Sequence, residues 1–166
     1  GGENVAPIPI ENAVKKFCPA ISNCMMIGDK KPFMAAFVTL KANGATGNEP
    51  GGDDLDEEAL GVDPSVKKIS EVLKSDTYVK YILDCVTKAN KAAAPNNAST
   101  IKKICILPRD FSVATGELTP TLKLKRGVVV KMNQAAVDAI YNAPKATLVV
   151  PYPITLTDKD EESKEE

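Results

Sequence analysis

The chain has 166 residues, and its 21 basic and 22 acidic side chains give a net charge of −1. This length allows one domain with a hydrophobic core, and the balanced charge provides no overall field that would attract nucleic acid or an anionic membrane. The absence of histidine excludes serine–histidine and cysteine–histidine catalysis and most zinc sites, so lysine, arginine and carboxylates remain as candidate reactive groups.

No apolar run reaches the roughly 18 residues needed to cross a bilayer, so no transmembrane segment is predicted. Cys18, Cys24, Cys85 and Cys105 lie within apolar patterns and lack C-x-x-C spacing. We therefore expect reduced core thiols in a cytoplasmic protein rather than a disulfide framework. Because the chain starts on Gly-Gly without a methionine, we also expect it to be a fragment of a longer polypeptide.

The first predicted element is an amphipathic helix that ends before Pro19. Its apolar face comprises Ile10, Ala13, Val14 and Phe17, and its polar face Glu11, Asn12, Lys15 and Lys16. Two apolar runs follow at 22–27 and 33–40, and the Gly28-Asp29-Lys30-Lys31-Pro32 turn between them predicts an antiparallel hairpin. The methionines in these strands are interpreted as core residues.

Residues 42–62 are rich in glycine, asparagine and acid, which predicts a mobile surface loop; the ligand spacing of a calcium loop is missing. Asp63-Pro64 then predicts the start of a helix that buries Val66, Ile69 and Leu73. A second helix is predicted to break at Pro95. Its apolar residues are Val79, Ile82, Leu83, Val86 and Ala93.

A third strand is predicted at 101–107, followed by Phe111 as a buried anchor. The final helix is expected to end near Asn142, with its buried face formed by Val129, Met132, Ala136 and Ile140. An added strand is considered at 147–151. The acidic residues 158–166 that follow are typical of a disordered tail. The pattern as a whole predicts an α+β fold, with a small antiparallel or mixed sheet of about three to five strands flanked by helices.

The stretch Gly116-Glu117-Leu118-Thr119-Pro120-Thr121-Leu122-Lys123-Leu124-Lys125-Arg126 combines a turn with three cations in four positions. Such a run is most often a solvated surface. The sharper interpretation is a loop that presents one lysine to an anionic reactant, an arrangement suited to phosphoryl or adenylyl chemistry.

This stretch closely resembles the near-C-terminal signature of long-chain acyl-CoA synthetases, which belong to the acyl-adenylate-forming, AMP-binding enzymes. The opening Gly1-Gly2-Glu3-Asn4-Val5-Ala6-Pro7-Ile8-Pro9-Ile10-Glu11 resembles the glycine-rich loop that starts their small C-terminal lobe. Residues 21–29 and 107–113 are most similar to the bubblegum-type branch. The resemblance covers 1–142, with a variable acidic loop at 42–62, whereas 143–166 form an extension with an acidic tail.

The resemblance implies the C-terminal lobe of an AMP-forming long-chain fatty acid–CoA ligase, inactive alone. It implies that the parent enzyme uses ATP, Mg²⁺ and CoA, while this lobe alone binds no cofactor and no metal. The implied partner is the N-terminal adenylating domain of the same polypeptide, which would hold the fatty acid. The resemblance is compatible with a cytoplasmic enzyme that attaches peripherally to a membrane through the part of the polypeptide outside this chain.

The resemblance also implies roles for individual residues. Lys123 matches the adenylation lysine that bridges the carboxylate substrate and the nucleotide; Lys125 is its rival, and the lysine-x-x-arginine spacing favours Lys123. Leu122 replaces the glycine that usually precedes this lysine. Residues expected near ATP and the acyl-adenylate are Thr119, Thr121 and Arg126, and those expected in the thioester-forming CoA loop are Gly1, Gly2, Glu3 and Asn4. Glu11 is assigned only to charge complementarity at a helix N-terminus.

Two other classes of function stay open. One is a catalytically silent interaction module that shares the lobe fold. The other is a nucleic-acid binder that uses Lys123, Lys125 and Arg126. Nucleic-acid binding is disfavoured because it needs a wider basic surface with stacking aromatics, and Phe111 is the single aromatic residue near these cations in the sequence.

Overall fold

The computed structural model describes residues 5–153. At its centre is a three-stranded mixed sheet of order β1–β2–β3, formed by β1 (Ile21–Ile27), β2 (Met34–Leu40) and β3 (Ile101–Ile106). The first two strands pair as the predicted antiparallel hairpin, and β3 runs parallel to β2. Because parallel strands cannot be joined by a tight turn, residues 41–100 form a crossover between them. The α+β prediction is confirmed.

Helices cover both faces of this sheet. The first, α1 (Pro7–Phe17), precedes the hairpin. The crossover contains α2 (Glu57–Leu60), a 3₁₀ helix (Ile69–Lys74), α3 (Asp76–Ala93) and a second 3₁₀ helix (Asn97–Ser99). Two helices, α4 (Arg126–Met132) and α5 (Gln134–Asn142), follow β3.

Alternate side chains of the strands divide the core into two clusters. On one face, Met26 and Val38 pack with α1 and α3. On the other, Met25 and Phe37 pack with α4, α5 and the buried Phe111. Residues 35–40 of β2 are all buried, as expected for a central strand covered on both sides. The core positions predicted for these methionines and for Phe111 are confirmed, and the 116–126 stretch lies on the second face.

The predicted helix α1 is confirmed, with Pro7 in its first turn and Ile10 and Val14 fully buried. Two details of its orientation differ from the prediction. Phe17 is 37% exposed, and Glu11, which was expected to point into solvent, is only 5% exposed. Glu11 can be buried because its carboxylate is hydrogen-bonded by the backbone NH of Met26 and paired with Arg126.

The prediction of a mobile surface loop at 42–62 is wrong for much of this segment. Ala42 pairs with Leu55, and Ala45 with Pro50, so residues 42–55 form an irregular antiparallel hairpin. Leu55 and Ala59 are buried in the same cluster as α1 and α3. Acidic side chains thus cover the solvent side of the 42–62 segment, whereas Leu55 and Ala59 attach it to the core.

The helix predicted to start at Asp63-Pro64 is also wrong. The Asp63 carboxylate instead accepts hydrogen bonds from the backbone NH of Ser65 at 3.0 Å and the Ser75 hydroxyl at 2.7 Å, which closes a turn. Val66 and Ile69 are buried as predicted, but Leu73 is 39% exposed and Val72 takes its place. A 3₁₀ helix has three residues per turn, so Val72 rather than Leu73 lies on the side of Ile69.

The helix predicted up to about Pro95 is confirmed as α3, which Ser75 caps by accepting from the backbone NH of Tyr78. The single helix predicted up to Asn142 is interrupted at Asn133, whose side-chain amide donates to the carbonyl of Val129 at 2.8 Å. The interruption turns Met132 outward, to 46% exposure. A side chain that competes for helix carbonyls favours such a break.

The residues after α5 return to the sheet. The backbone NH of Ile104 donates to Leu148 and that of Val150 donates to Ile104, a single parallel bridge where an added strand was considered. The buried Lys103 ammonium donates to the carbonyls of Pro144 at 2.6 Å and Thr147 at 2.7 Å.

Whether 142 is a domain boundary stays a prediction, and the acidic tail lies outside the described residues. Within 5–153, no helix combines the length and apolarity needed to span a membrane.

The four cysteines are buried and form no disulfide bond, as predicted. Burial raises the pKa of Cys24 above its ordinary value and that of Cys105 to about 12. A hydrogen bond with Cys18 lowers the pKa of Cys85.

Because the thiolate is the reactive species, iodoacetamide at mildly alkaline pH should alkylate Cys24 and Cys105 at least ~100-fold more slowly in the folded chain than in concentrated urea. Mass spectrometry of timed samples measures this, and equal rates in both solvents would contradict the burial.

Candidate functional site

Residues 117–125, here called the lysine loop, form a tight hairpin. Leu118 and Leu124 pair as an antiparallel bridge, and the backbone NH of Lys125 donates to the carbonyl of Glu117 at 2.8 Å. At the base of this loop, Leu118 is buried in the cluster that contains Phe111. The loop therefore projects from a fixed base, because that base is part of the core.

The tip of the lysine loop is closed by the residues that precede Lys123. The backbone NH of Leu122 donates to the carbonyl of Thr119 at 2.7 Å, and the NH of Lys123 donates to the Thr119 hydroxyl at 3.1 Å. The hydroxyls of Thr119 and Thr121 are 3.1 Å apart. Leu122 has a φ of +65°, the left-handed conformation that glycine adopts without strain. Holding a leucine in this conformation costs about 1 kcal/mol.

Both candidate lysines have exposed side chains. Neither Lys123 nor Lys125 has a salt bridge or a side-chain hydrogen bond to any residue in the described range 5–153. The two lysines differ in where they lie on the loop. The backbone of Lys123 is hydrogen-bonded within the closed tip, whereas the backbone of Lys125 is hydrogen-bonded at the base. The structure thus brings the backbone of Lys123 together with Thr119 and Thr121, and none of residues 5–153 pairs with its ammonium.

Arg126 is held apart from this group by an ion pair with Glu11. Its Nη1 donates to Glu11 Oε2 at 2.8 Å and its Nη2 to Oε1 at 2.5 Å, a bidentate arrangement. Hydrogen bonding to this carboxylate raises the pKa of Arg126. Glu11 Oε2 also accepts from the backbone NH of Met26 at 2.6 Å. One carboxylate thereby joins α1, β1 and the residue directly after the lysine loop.

A second buried carboxylate, Asp110, organises the chain ahead of the loop. It accepts hydrogen bonds from Asn23 Nδ2, the Thr39 hydroxyl and the backbone NH of Phe111, each at 2.8 Å, and from the Ser22 hydroxyl at 2.5 Å. These bonds connect β1 and β2 to the segment that enters the lysine loop. Two of the sequence blocks that carry the family resemblance meet here, although the sequence analysis assigned no role to Asp110.

The remaining predicted site residues, Gly1, Gly2, Glu3 and Asn4, lie outside the described residues, so their CoA-loop assignment stays a prediction. No group of three or more histidine, cysteine, aspartate or glutamate side chains within 5–153 is arranged to hold a metal ion. What the described residues provide is an exposed lysine at the tip of a loop that two threonines help to close, with two buried carboxylates holding the ends of that loop.

The fold is shared with adenylate-forming enzymes. The crystal structure of the adenylation domain of a carboxylate reductase from Mycobacterium chelonae superimposes with a TM-score of 0.61, over 86% of this chain and 18% of that chain, at 19% sequence identity. Residues 1–145 match the family model of the AMP-binding enzyme C-terminal domain. The chain belongs to this family.

Relatives of the bubblegum type are similar over most of the chain. A long-chain-fatty-acid–CoA ligase of Gallus gallus, ACSBG2, is 44% identical over 156 residues, which is 89% of this chain and 20% of the relative. The Homo sapiens ligase ACSBG1 is 38% identical over 151 residues, 87% of this chain and 21% of the relative. The resemblance noted in the sequence is confirmed, and the chain spans about one fifth of the length of these relatives.

Proposed function

We propose that this chain is the C-terminal lobe of an ATP-dependent, AMP-forming long-chain fatty acid–CoA ligase and supplies the lysine of its adenylation step. One observation carries the proposal. Lys123 lies exposed at the tip of a loop with a fixed base, with no ion-pair partner among residues 5–153, in a chain of the AMP-binding enzyme C-terminal domain family.

The proposed chemistry needs a cation at this place. A fatty acid carboxylate oxygen attacks the α-phosphorus of ATP, the bond from that phosphorus to the bridging oxygen breaks, and pyrophosphate leaves. Two anionic groups must approach each other, so an ammonium placed between them lowers the barrier. In a site shielded from water, one such contact contributes about 3–4 kcal/mol. Lys123 contributes charge only, and Thr119 and Thr121 keep the loop tip closed around it.

Arg126 has a different part in this proposal from the nucleotide contact expected from sequence. Its guanidinium is engaged by Glu11, which favours a structural role in holding the end of the lysine loop on α1. Mg²⁺ would be held by the phosphates of ATP and by the adenylating domain, because residues 5–153 offer no cluster of metal ligands. The fatty acid and most of the nucleotide would also be bound by that domain.

The second half of the reaction is assigned to Gly1, Gly2, Glu3 and Asn4. After the lobe rotates, these residues would face the adenylating domain, and the glycines would let the pantetheine arm of CoA pass close to the backbone. The CoA thiol then attacks the acyl carbonyl, and AMP leaves. Using one lobe for both steps requires that the lysine loop and this segment be carried on one rigid body, for which the Glu11–Arg126 pair is suited.

The test compares the full-length protein with this chain alone. With ATP, Mg²⁺, CoA and long-chain fatty acids, the full-length protein should form acyl-CoA and AMP, whereas this chain should form neither, because the substrates bind mainly to the missing domain. Mass spectrometry of acyl-CoA measures the product. Turnover by this chain alone, or a full-length protein that makes no acyl-adenylate with any fatty acid, would contradict the proposal; the second result would favour a silent interaction module.

A further inference from the structure

The 42–55 hairpin reaches across to the segment that leads into the lysine loop. The backbone NH of Val113 donates to the carbonyl of Gly47 at 2.9 Å, and that of Ala114 donates to Asn48 at 2.9 Å. Its tip is itself closed, because the NH of Thr46 donates to the Glu49 carbonyl at 3.1 Å. A closed turn with two bonds to the neighbouring segment can hold that segment in place.

The same tip touches the residue directly before Lys123. A Cβ built on Gly47 would lie 3.1 Å from Leu122 Cδ1 and 3.2 Å from Cδ2, which is closer than ordinary van der Waals contact. The Leu122 side chain therefore lies against the backbone of Gly47, although 51% of its residue surface is exposed. Gly47 also has a φ of +85°, which favours glycine, and a Cβ at this position would push the Leu122 methyl groups away by a few tenths of an ångström.

The hairpin has its other end in the core. Ala42 and Leu55, at its root, are buried in the cluster that contains α1 and α3. The lysine loop has its base in the other cluster, across the sheet. The 42–55 hairpin thus connects the two clusters of the core. Its tip contacts Leu122, the residue before the proposed catalytic lysine.

We propose that Gly47 is a positioning residue for the adenylation step: the hairpin tip fixes Leu122, and Leu122 fixes the direction in which Lys123 leaves the loop. The inference rests on the proposed function of Lys123. Of these three residues, Lys123 is the one that would touch the reactants.

The test is Gly47→Ala in the full-length protein, with Gly44→Ala as the matched control. Both glycines have a φ of +85° in the same hairpin, but a Cβ on Gly44 would meet only the Gly51 Cα, at an ordinary 3.5 Å. Gly47→Ala should lower acyl-adenylate formation, measured by pyrophosphate exchange, by about 10–100-fold, because small misplacements of a catalytic group have effects of this size. Thioester formation from supplied acyl-adenylate should be unchanged, and Gly44→Ala should alter neither step.

A double-mutant cycle with Leu122→Ala tests whether the contact itself is responsible. The variant with both substitutions should adenylate no more slowly than Leu122→Ala alone, because the contact is already lost. Additive losses, equal effects of Gly44→Ala and Gly47→Ala, or equal losses in both half-reactions would each overturn the inference. If Lys123→Ala leaves adenylation intact, the proposed function fails. If Lys123→Ala abolishes adenylation and Gly47→Ala does not change it, the positioning role alone fails.

Discussion

Replacing Lys123 by alanine in the full-length protein is expected to lower the rate of acyl-adenylate formation by about 10²–10³-fold, which corresponds to the loss of 3–4 kcal/mol of transition-state stabilisation. The thioester step, started from supplied acyl-adenylate and CoA, should change by less than about 3-fold, because the lysine loop is not expected to face the reactants in that step. Pyrophosphate exchange measures the first half-reaction, and release of AMP from acyl-adenylate measures the second.

Lys125→Ala is the matched control, because it removes the same charge two residues away, from the base of the loop instead of its tip. It should have a much smaller effect on the first half-reaction. Both lysines are exposed and make no side-chain contacts of the polar or ionic kind within the described part of the chain, so neither substitution should unfold the lobe. A stronger effect of Lys125→Ala on adenylation, or equal losses in both half-reactions after Lys123→Ala, would show that Lys123 is wrongly assigned.

Glu11→Gln is expected to lower the free energy of unfolding of this chain by about 2–3 kcal/mol. Removing one partner of a buried ion pair commonly costs about 3–5 kcal/mol, and the smaller value applies here because the Arg126 side chain is 38% exposed and can regain water. The substitution also weakens the charged acceptor for the backbone NH of Met26. Urea unfolding followed by circular dichroism measures the change.

The Lys80–Asp84 pair provides the control for this prediction. It is also a close ion pair, at 2.8 Å, but its side chains are 77% and 56% exposed. Asp84→Asn should therefore change the free energy of unfolding by less than about 0.5 kcal/mol. If Glu11→Gln costs no more than Asp84→Asn, then the Glu11–Arg126 pair does not hold the lysine loop to α1.

Much of the fold could be predicted from local patterns. Apolar spacing located α1, α3 and the strands, and a cluster of turn residues located the hairpin between β1 and β2. The errors occur where a tertiary interaction competes with the pattern. Leu73 was expected in the core because an α-helical period was assumed, whereas a 3₁₀ helix buries Val72 instead. Asn133 divides the last helix because its side-chain amide donates to a helix carbonyl. The spacing of apolar residues does not predict this hydrogen bond.

The candidate site shows the same limit. Lys123 could be proposed from sequence because the loop residues expected to act on the reactants form a short contiguous motif. Glu11 was placed on the solvent side because carboxylates are rarely buried without a partner, and its partner lies 115 residues away. Gly47 was placed in a mobile loop because glycine-rich acidic segments usually form one, and nothing near it in the sequence points to Leu122.

The amino-acid sequence by itself located α1, α3 and the three strands, indicated the family and pointed to the residue proposed to carry the adenylation charge, because each of these depends on neighbours along the chain. The tertiary structure alone decided how that residue is held. The Glu11–Arg126 pair, the Asp110 hydrogen bonds and the contact between Gly47 and Leu122 join residues that are distant in sequence. Such contacts form only when packing of the two core clusters brings these segments together, and so they leave no periodic pattern in the chain.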